Sequence, residues 1–166
     1  NAAVVLCNQV GGQDELVFDG GSVVVSDDGL TLVRCAQFAE VVALCDLRQS
    51  EECHPVWLED DAETWEALRC GLADYVNKNG FEEVVVGVSG GIDSAVVATL
   101  AVDALGSARV HAVTLPSTVT SSETLGDAHE LARRLGIDCT EIAIEPVMAT
   151  FMNQLARAVA GAQGAD

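Results

Sequence analysis

The constraint that most narrows what this chain can become lies in residues 84–94. Val84, Val85, Val86 and Val88 make an apolar run. Ser89, Gly90, Gly91, Asp93 and Ser94 then make a small polar turn, and an Ala- and Val-rich stretch follows as far as Leu105. Such a run reads as a buried strand, and the turn after it opens a helix. Glycine at 90 and 91 lets the backbone take positive φ and lie against a ligand, while the first helical N–H groups and the positive end of the helix dipole face the turn. Phosphate suits that geometry. The commoner phosphate loop needs Gly-x-x-x-x-Gly-Lys-Ser/Thr, and neither the lysine nor the spacing occurs; Gly-x-Gly-x-x-Gly is absent as well. The stretch is an anion-binding loop of another type or, on the plainer reading, a simple strand-to-helix connection.

Downstream the pattern alternates. A helix is expected from about residue 94 to 105, a strand over 109–115, a helix over about 121–135, a strand over 138–144 and a helix over about 146–159. That succession implies a parallel, doubly wound sheet of the α/β class. Thr120 and Glu123 are expected to cap the middle helix and Gly136 to end it, with Leu125, Ala128, Leu131 and Leu135 facing inward. Ligands of open sheets gather beyond the carboxyl ends of the strands, so Leu115, Pro116 and the hydroxyl-rich residues after them should lie beside the glycine turn. His111 and His129 fall inside expected elements and read as structural.

Upstream, residues 3–47 read as an antiparallel meander, with strands over 3–7, 15–18, 22–25, 30–34 and 41–47 and hairpin turns at Asp19–Gly20 and Asp28–Gly29. The connection over 8–22 is rich in glycine and amides: Gly11 and Gly12 permit close backbone approach, and Gln13, Asp14 and Glu15 offer hydrogen-bonding groups. Charge and turn formers take over at 48–61, which reads as a linker. Asp60 with Glu63 has the form of a capping box for a helix that places Trp65, Leu68, Leu72 and Val76 on one face and ends at Gly80. The expected division is therefore 1–47, a linker over 48–61, and 62–166.

With 49% hydrophobic residues the chain has ample material for a core. No apolar run approaches the roughly 20 residues of a membrane span, and no basic leader precedes the first strand, so a cytoplasmic location without a membrane partner is expected. The 26 acidic residues against 8 basic ones give a net charge of −18, which argues against nucleic acid as a partner, since no basic patch interrupts it. Six cysteines, Cys7, Cys35, Cys45, Cys53, Cys70 and Cys139, form no Cys-x-x-Cys pair and read mostly as reduced core thiols. Cys53 and His54 are the one adjacent pair of metal-capable residues, without a second pair at zinc spacing. The chain opens on strand formers without Met and stops just past a helical pattern, which reads as a piece of a longer protein.

Two segments carry a resemblance. Residues 89–94, Ser89, Gly90, Gly91, Ile92, Asp93 and Ser94, resemble the pyrophosphate loop of the ATP pyrophosphatases, which adenylate a substrate and release pyrophosphate. Residues 8–20, from Asn8 through Gly11, Gly12, Gln13, Asp14 and Phe18 to Gly20, resemble the end of the nitrilase-like glutaminase domain of glutamine-dependent NAD synthetases. Both lie in the order that family has, and the likeness covers essentially the whole chain. It implies an antiparallel β segment from a nitrilase-like αββα domain at 1–47, then the amino half of an adenine nucleotide α-hydrolase-like domain at 62–166. It also implies ATP and Mg²⁺ as cofactors, deamido-NAD with glutamine or ammonia as partners, and a homo-oligomer when full length.

In that family the nicotinate carboxylate of deamido-NAD is adenylated and AMP is displaced by ammonia. The site residues implied here are Gly87, Val88, Ser89, Gly90, Gly91, Ile92, Asp93 and Ser94 around the phosphates, with Leu115 and Pro116 bordering the adenosine. Asp93, an acid in an anion loop, is assigned to Mg²⁺. Thr118 and Val119 depart from the family's Arg or Tyr. The family's Glu-Lys-Cys glutaminase triad lies upstream of all these residues, and Cys7 stands at an ordinary strand position, so the segment by itself is expected to be inactive. Two other readings fit the loop: a different adenylating amidotransferase or thiolating ATP pyrophosphatase, and a non-catalytic nucleotide sensor. Gly90→Val is expected to spare the fold and abolish binding.

Overall fold

A computed structural model gives the fold and describes residues 2–48, 53, 56–118 and 120–163. His54 and Val119, singled out above, lie outside the described residues. The chain divides into two compact units, Asn1–Glu82 and Glu83–Asp166.

In the first unit β1 (Val4–Leu6), β4 (Val23–Val25) and β5 (Thr31–Arg34) make an antiparallel sheet in the order β1-β4-β5. β2 (Val10–Gln13) and β3 (Leu16–Asp19) pair only with each other, closed by a turn in which Asp14 takes φ 51°. The expected antiparallel strands are present, arranged as a sheet plus a hairpin. β2 escapes a propensity reading because Gly11 and Gly12, half of the strand, lack the branched side chains that signal one. Asp28–Gly29 does turn a hairpin, with Gly29 at φ 98° and the Ser26 hydroxyl accepting the Leu30 N–H at 2.9 Å. Asp19–Gly20 does not: the Gly20 N–H goes to the Gln9 carbonyl at 2.8 Å, and Asn8 clamps this corner, donating to Asp19 Oδ1 at 2.9 Å and to the Gly20 carbonyl at 2.8 Å. Residues 41–46 form no strand, and Val42 and Leu44 are each 97% exposed. An apolar, branched run needs a ladder partner to become a strand, and none lies beside it among the described residues.

α1 (Asp60–Lys78) belongs to this unit. The expected capping box is not formed: Glu59 is the N-cap without a side-chain bond, and the Glu63 carboxylate instead accepts from Gln37 Nε2 at 2.6 Å. The acidic first turn of Asp60, Asp61 and Glu63 still favours the helix through its dipole. Of the expected apolar face Val76 is buried, whereas Leu68 is 50% exposed. The face laid on the β2–β3 hairpin is small and charged. A Cβ on Gly12 would stand 2.9 Å from Gly71 Cα, so helix and strand meet backbone to backbone. There Asp74 Oδ2 accepts the Gly12 N–H at 2.7 Å, Lys78 Nζ donates to the Gly12 carbonyl at 2.7 Å, and the two side chains pair at 2.9 Å. Because α1 packs on the hairpin, the boundary between the compact units falls after it, beyond the linker expected at 48–61.

The second unit is built as the alternation predicts. β6 (Val84–Gly87), α2 (Ile92–Leu105), β7 (Val110–Thr114), α3 (Ser122–Leu135), β8 (Cys139–Glu141) and α4 (Glu145–Gln163) follow in order, with a short 3₁₀ turn at Ser107–Arg109. The strands are parallel in the order β6-β7-β8, with Val84 opposite Val110 and Val86 opposite Ala112. Val84, Val86, Val110, Ala112 and Thr114 thus share one face, where α2 and α3 pack through Ala98, Ala101, Ala128 and Ala132, all buried. Alanine brings these helices close to the sheet. On the other face Val85 is 70% exposed, and Val147, Phe151 and Met152 of α4 are exposed as well. Ser121 caps α3, accepting the Thr124 N–H at 3.1 Å, one residue from the expected Thr120.

The cysteines are free, and none is fully buried: Cys7 is exposed and the others are half-buried. Burial pushes the Cys70 and Cys139 thiols up, which disfavours their reactive thiolates.

The bond to Lys78, followed by that to the Gly12 N–H, holds the Asp74 carboxyl below its usual value. A carboxylate whose pKa is depressed by folding stabilises the fold above its unfolded pKa, about 3.9, and loses that contribution as pH falls through the lower folded value. Asp74→Asn should destabilise the first unit by about 1–3 kcal/mol at pH 7, with the gap to wild type closing below about pH 4. Trp57 and Trp65 are the chain's tryptophans, so urea denaturation followed by their fluorescence reads this unit alone. A gap independent of pH would contradict the assignment.

Candidate functional site

β6 ends at Gly87, Val88 continues it with its N–H on the Val113 carbonyl at 2.9 Å, and the chain then turns through Ser89, Gly90 and Gly91 into α2. The two glycines do different things. Gly90 has φ 81°, and a Cβ there would overlap the Thr124 carbonyl oxygen and stand 2.8 Å from Thr124 Cγ2. Gly91 sits at φ −84°, ψ 160°, an ordinary extended conformation, and a Cβ would reach Ser89 Oγ only at 3.4 Å. Gly90 is thus needed for the turn to pack under the first turn of α3, whereas the absence of a side chain at Gly91 leaves open space at the helix mouth.

The turn is laced internally. Ser94 Oγ accepts the Ser89 N–H at 3.1 Å, lies 3.2 Å from Ser89 Oγ and donates to the Gly91 carbonyl at 3.0 Å, while the Gly91 N–H donates to Ser89 Oγ at 3.3 Å. Gly91, the N-cap, has no side chain to offer, so Ile92, Asp93 and Ser94 open the helix without a side-chain cap. The dipole's positive end is presented outward. Asp93, exposed in that first turn, has no hydrogen-bond or ionic partner among the described residues.

Against this turn lies a cavity of about 300 Å³, lined by Gly87, Val88, Ser89, Thr114, Leu115, Pro116, Thr120, Leu125 and Ala128. The structure therefore brings together five residues the sequence names: Gly87, Val88 and Ser89 at the end of β6, and Leu115 and Pro116 after β7. Gly90, Gly91, Ile92, Asp93 and Ser94 are not in its wall; they form the adjoining turn and helix mouth, with Ile92 76% exposed. Thr114, Thr120, Leu125 and Ala128 were not read as site residues. The helical period that turns Leu125 and Ala128 inward is visible in the sequence, but it reads as core. Thr120 serves the loop, its hydroxyl accepting the Ser117 N–H at 3.0 Å, and the exposed Thr118 does not line the cavity. His111 faces Glu83 at 3.4 Å and His129 faces Glu141 at 3.5 Å, both outside the cavity wall. Among the described residues no group of three or more His, Cys, Asp and Glu could hold a metal, and no helix is long and apolar enough to cross a membrane.

A pocket with apolar walls beside a turn that leads into an uncapped helix mouth suits a ligand with a flat apolar part and an anionic tail. Comparison with known proteins bears on what that ligand is. Residues 64–164 match the family described as NAD synthase. The chain is 41% identical over 157 residues to a glutamine-dependent NAD(+) synthetase of Synechocystis, covering 91% of this chain and 28% of that protein. It is 44% identical to the Rhodobacter capsulatus protein of the same name, covering 93% of this chain and 29% of that one. A solved structure of the glutamine-dependent NAD+ synthetase of Acinetobacter baumannii, in complex with ADP, superposes with a TM-score of 0.82 at 38% identity, over 92% of this chain and 30% of that one. The chain thus spans under a third of the length of these relatives.

Gly90→Val, expected from sequence to spare the fold, should instead unfold or severely loosen the second unit. The side chain would collide with backbone, at a φ that costs a β-branched residue roughly 1–3 kcal/mol before the clash is counted. Gly91→Ala should leave the melting temperature within a few degrees of wild type, while placing a methyl group at the helix mouth. Thermal unfolding followed by circular dichroism separates the two, and equal melting temperatures would contradict the reading of Gly90.

Proposed function

The chain belongs to the NAD synthase family, and we propose that its second unit binds Mg-ATP for the adenylation of the nicotinate carboxylate of deamido-NAD, ammonia then displacing AMP to give NAD. The observation that carries this reading is the apolar cavity lined by Ser89, the first residue of the turn that leads into the uncapped amino end of α2. In that reading Leu115 and Pro116 border the adenosine, and Val88 stands with the residues around the phosphates. Gly87, Ser89, Gly90, Gly91, Ile92 and Ser94 follow the phosphates toward the α2 amino end, where N–H groups and the dipole meet the β- and γ-phosphates that leave as pyrophosphate. No covalent protein intermediate is needed: the residues align the carboxylate with the α-phosphorus and offset charge as it develops. The superposed A. baumannii structure holds ADP, which supports the nucleotide.

Asp93 fits a magnesium ion. Among the described residues its carboxylate has no partner and there is no multi-residue metal cluster, so the remaining ligands would be phosphate oxygens and water, the usual way Mg²⁺ is held. The ion would supply neutralisation of the triphosphate charge. Residues 1–47 are read as the end of the glutaminase domain and 62–166 as the amino half of the synthetase domain. Glutamine or ammonia is the nitrogen source, and the full-length enzyme is a cytoplasmic homo-oligomer. Cys7 is not read as the glutaminase nucleophile; among the described residues that line the cavity it borders, which include Asn8, Ser22, Cys35 and Glu40, there is no basic side chain to activate a thiolate.

Asp93→Asn should weaken Mg-ATP by about 10–100-fold and abolish the magnesium dependence of binding, read by titration calorimetry with and without the ion; equal affinities would sink the assignment. Incubated with Mg-ATP, deamido-NAD and ammonium or glutamine, the 166-residue chain should release no glutamate and form NAD far below about 1 per second. Turnover at that rate would show that these residues hold a complete active site.

A further inference from the structure

The two units differ in the charge each carries over its core. Asn1–Glu82 contains sixteen acidic and four basic residues and Glu83–Asp166 ten and four, a net charge of −12 against −6. The four basic side chains of the first unit are all engaged nearby. Arg48 pairs with Asp46 at 3.5 Å, Arg69 with Glu66 at 2.6 Å and Lys78 with Asp74 at 2.9 Å, while the Arg34 guanidinium lies 4.9 Å from the centre of the Trp57 ring. Glu15, Asp27, Glu40, Asp60 and Asp61 are exposed and have no ion-pair partner among the described residues. The core beneath this charge is thin. Among the described residues Leu32 and Val76 are the buried apolar side chains of the first unit, against eight in the second.

We propose that the first unit is an ionic-strength-dependent element, held folded where salt screens its carboxylates from one another and loosened where it does not, while the second unit keeps its fold in both conditions. Apolar burial is the main favourable term in folding, and domains hold only a small margin over the terms that oppose it. A unit with little burial and a large charge of one sign loses most of that margin to self-repulsion. Range makes the effect sensitive to salt. Charges are screened beyond about 30 Å at 0.01 M salt and beyond about 3 Å at 1 M, whereas a compact domain of this size has a radius of gyration of about 12 Å. In dilute buffer every carboxylate of the unit therefore repels the others, and in strong salt only immediate neighbours interact. The inference is independent of the nucleotide reading, since it rests on charge and core alone.

Thermal unfolding of the 166-residue chain in KCl at about 0.01 M and about 1 M tests this. Tryptophan fluorescence reads the first unit, and hydrogen exchange in peptides from β6, β7 and α3 reads the second in the same samples. The tryptophan midpoint should rise by about 5–10 °C with salt, while exchange in the second unit changes by less than about threefold. Glu15→Lys combined with Asp27→Lys reverses two exposed charges of the first unit. This variant should melt above wild type in dilute KCl and together with it in strong KCl. A tryptophan midpoint that does not respond to salt overturns the proposal, as does an equal response of the two units. A salt gain that charge reversal leaves unchanged overturns it too, because the effect would then be the general strengthening of apolar burial by salt and not relief of repulsion.

Discussion

The second unit depends on a single close approach, that of the Gly90 backbone to the Thr124 carbonyl. It sets the first turn of α3 directly over the turn that ends β6, and the space enclosed between that helix and the carboxyl ends of β6 and β7 is the cavity. A side chain at 90 would push α3 away and open the pocket's wall. The same positive φ that permits this contact aims the chain into α2 with its first N–H groups uncapped. The packing of α3 and the uncapped mouth of α2 are thus fixed by one residue, so a substitution there cannot separate them. Gly91, one position on, can be changed without that conflict.

In the first unit the comparable constraint is electrostatic. Helix α1 meets β2 through Gly71 and Gly12, too close for side chains, and such a contact would leave the Gly12 N–H and carbonyl facing a helix surface without partners. Asp74 and Lys78, one turn apart on that surface, supply an acceptor and a donor to the same residue and pair with each other. A charged pair at a packing interface ordinarily carries a desolvation cost. Here each partner also satisfies a backbone group, and Lys78 keeps 57% of its side chain exposed, so that cost is small.

Much of this was legible because it is local. Valine branching announced β6, glycine after valine announced the turn, and the inward period of Leu125 and Ala128 announced α3. The tendency of ligands to gather beyond strand ends points to Leu115 and Pro116 beside the turn, where they line the cavity with Ser89. What failed depends on partners distant in sequence. Residues 41–47 have the composition of a strand but no neighbour to pair with among the described residues, while Gly11 and Gly12 lack that composition and are held in β2 by β3 and α1. Both Thr120 and Ser121 can cap a helix; the Ser117 N–H, by engaging Thr120, leaves the cap to Ser121. That the buried Thr114 hydroxyl finds no hydrogen-bond partner among the described residues follows from what surrounds it, and its place on a hydrophobic strand shows nothing of the kind.

The charge pattern around the site bears on how an anion could be held by a chain of net charge −18. Among the described residues no lysine or arginine lines the cavity, and the turn beside it contains none. Attraction must come from groups whose charge is partial and fixed in direction, the helix dipole and backbone N–H groups, whose influence fades within about one helical turn. A triphosphate exceeds what such groups can offset, and Asp93 adds to the repulsion. On the proposed reading an acid in that position is compatible with binding when the anion arrives with its own cation, which makes the metal part of the ligand. On the proposed reading Asp93 is then a filter: it disfavours the bare triphosphate through like-charge repulsion and favours the same molecule carrying Mg²⁺, so one carboxylate changes the sign of the local preference without any basic residue.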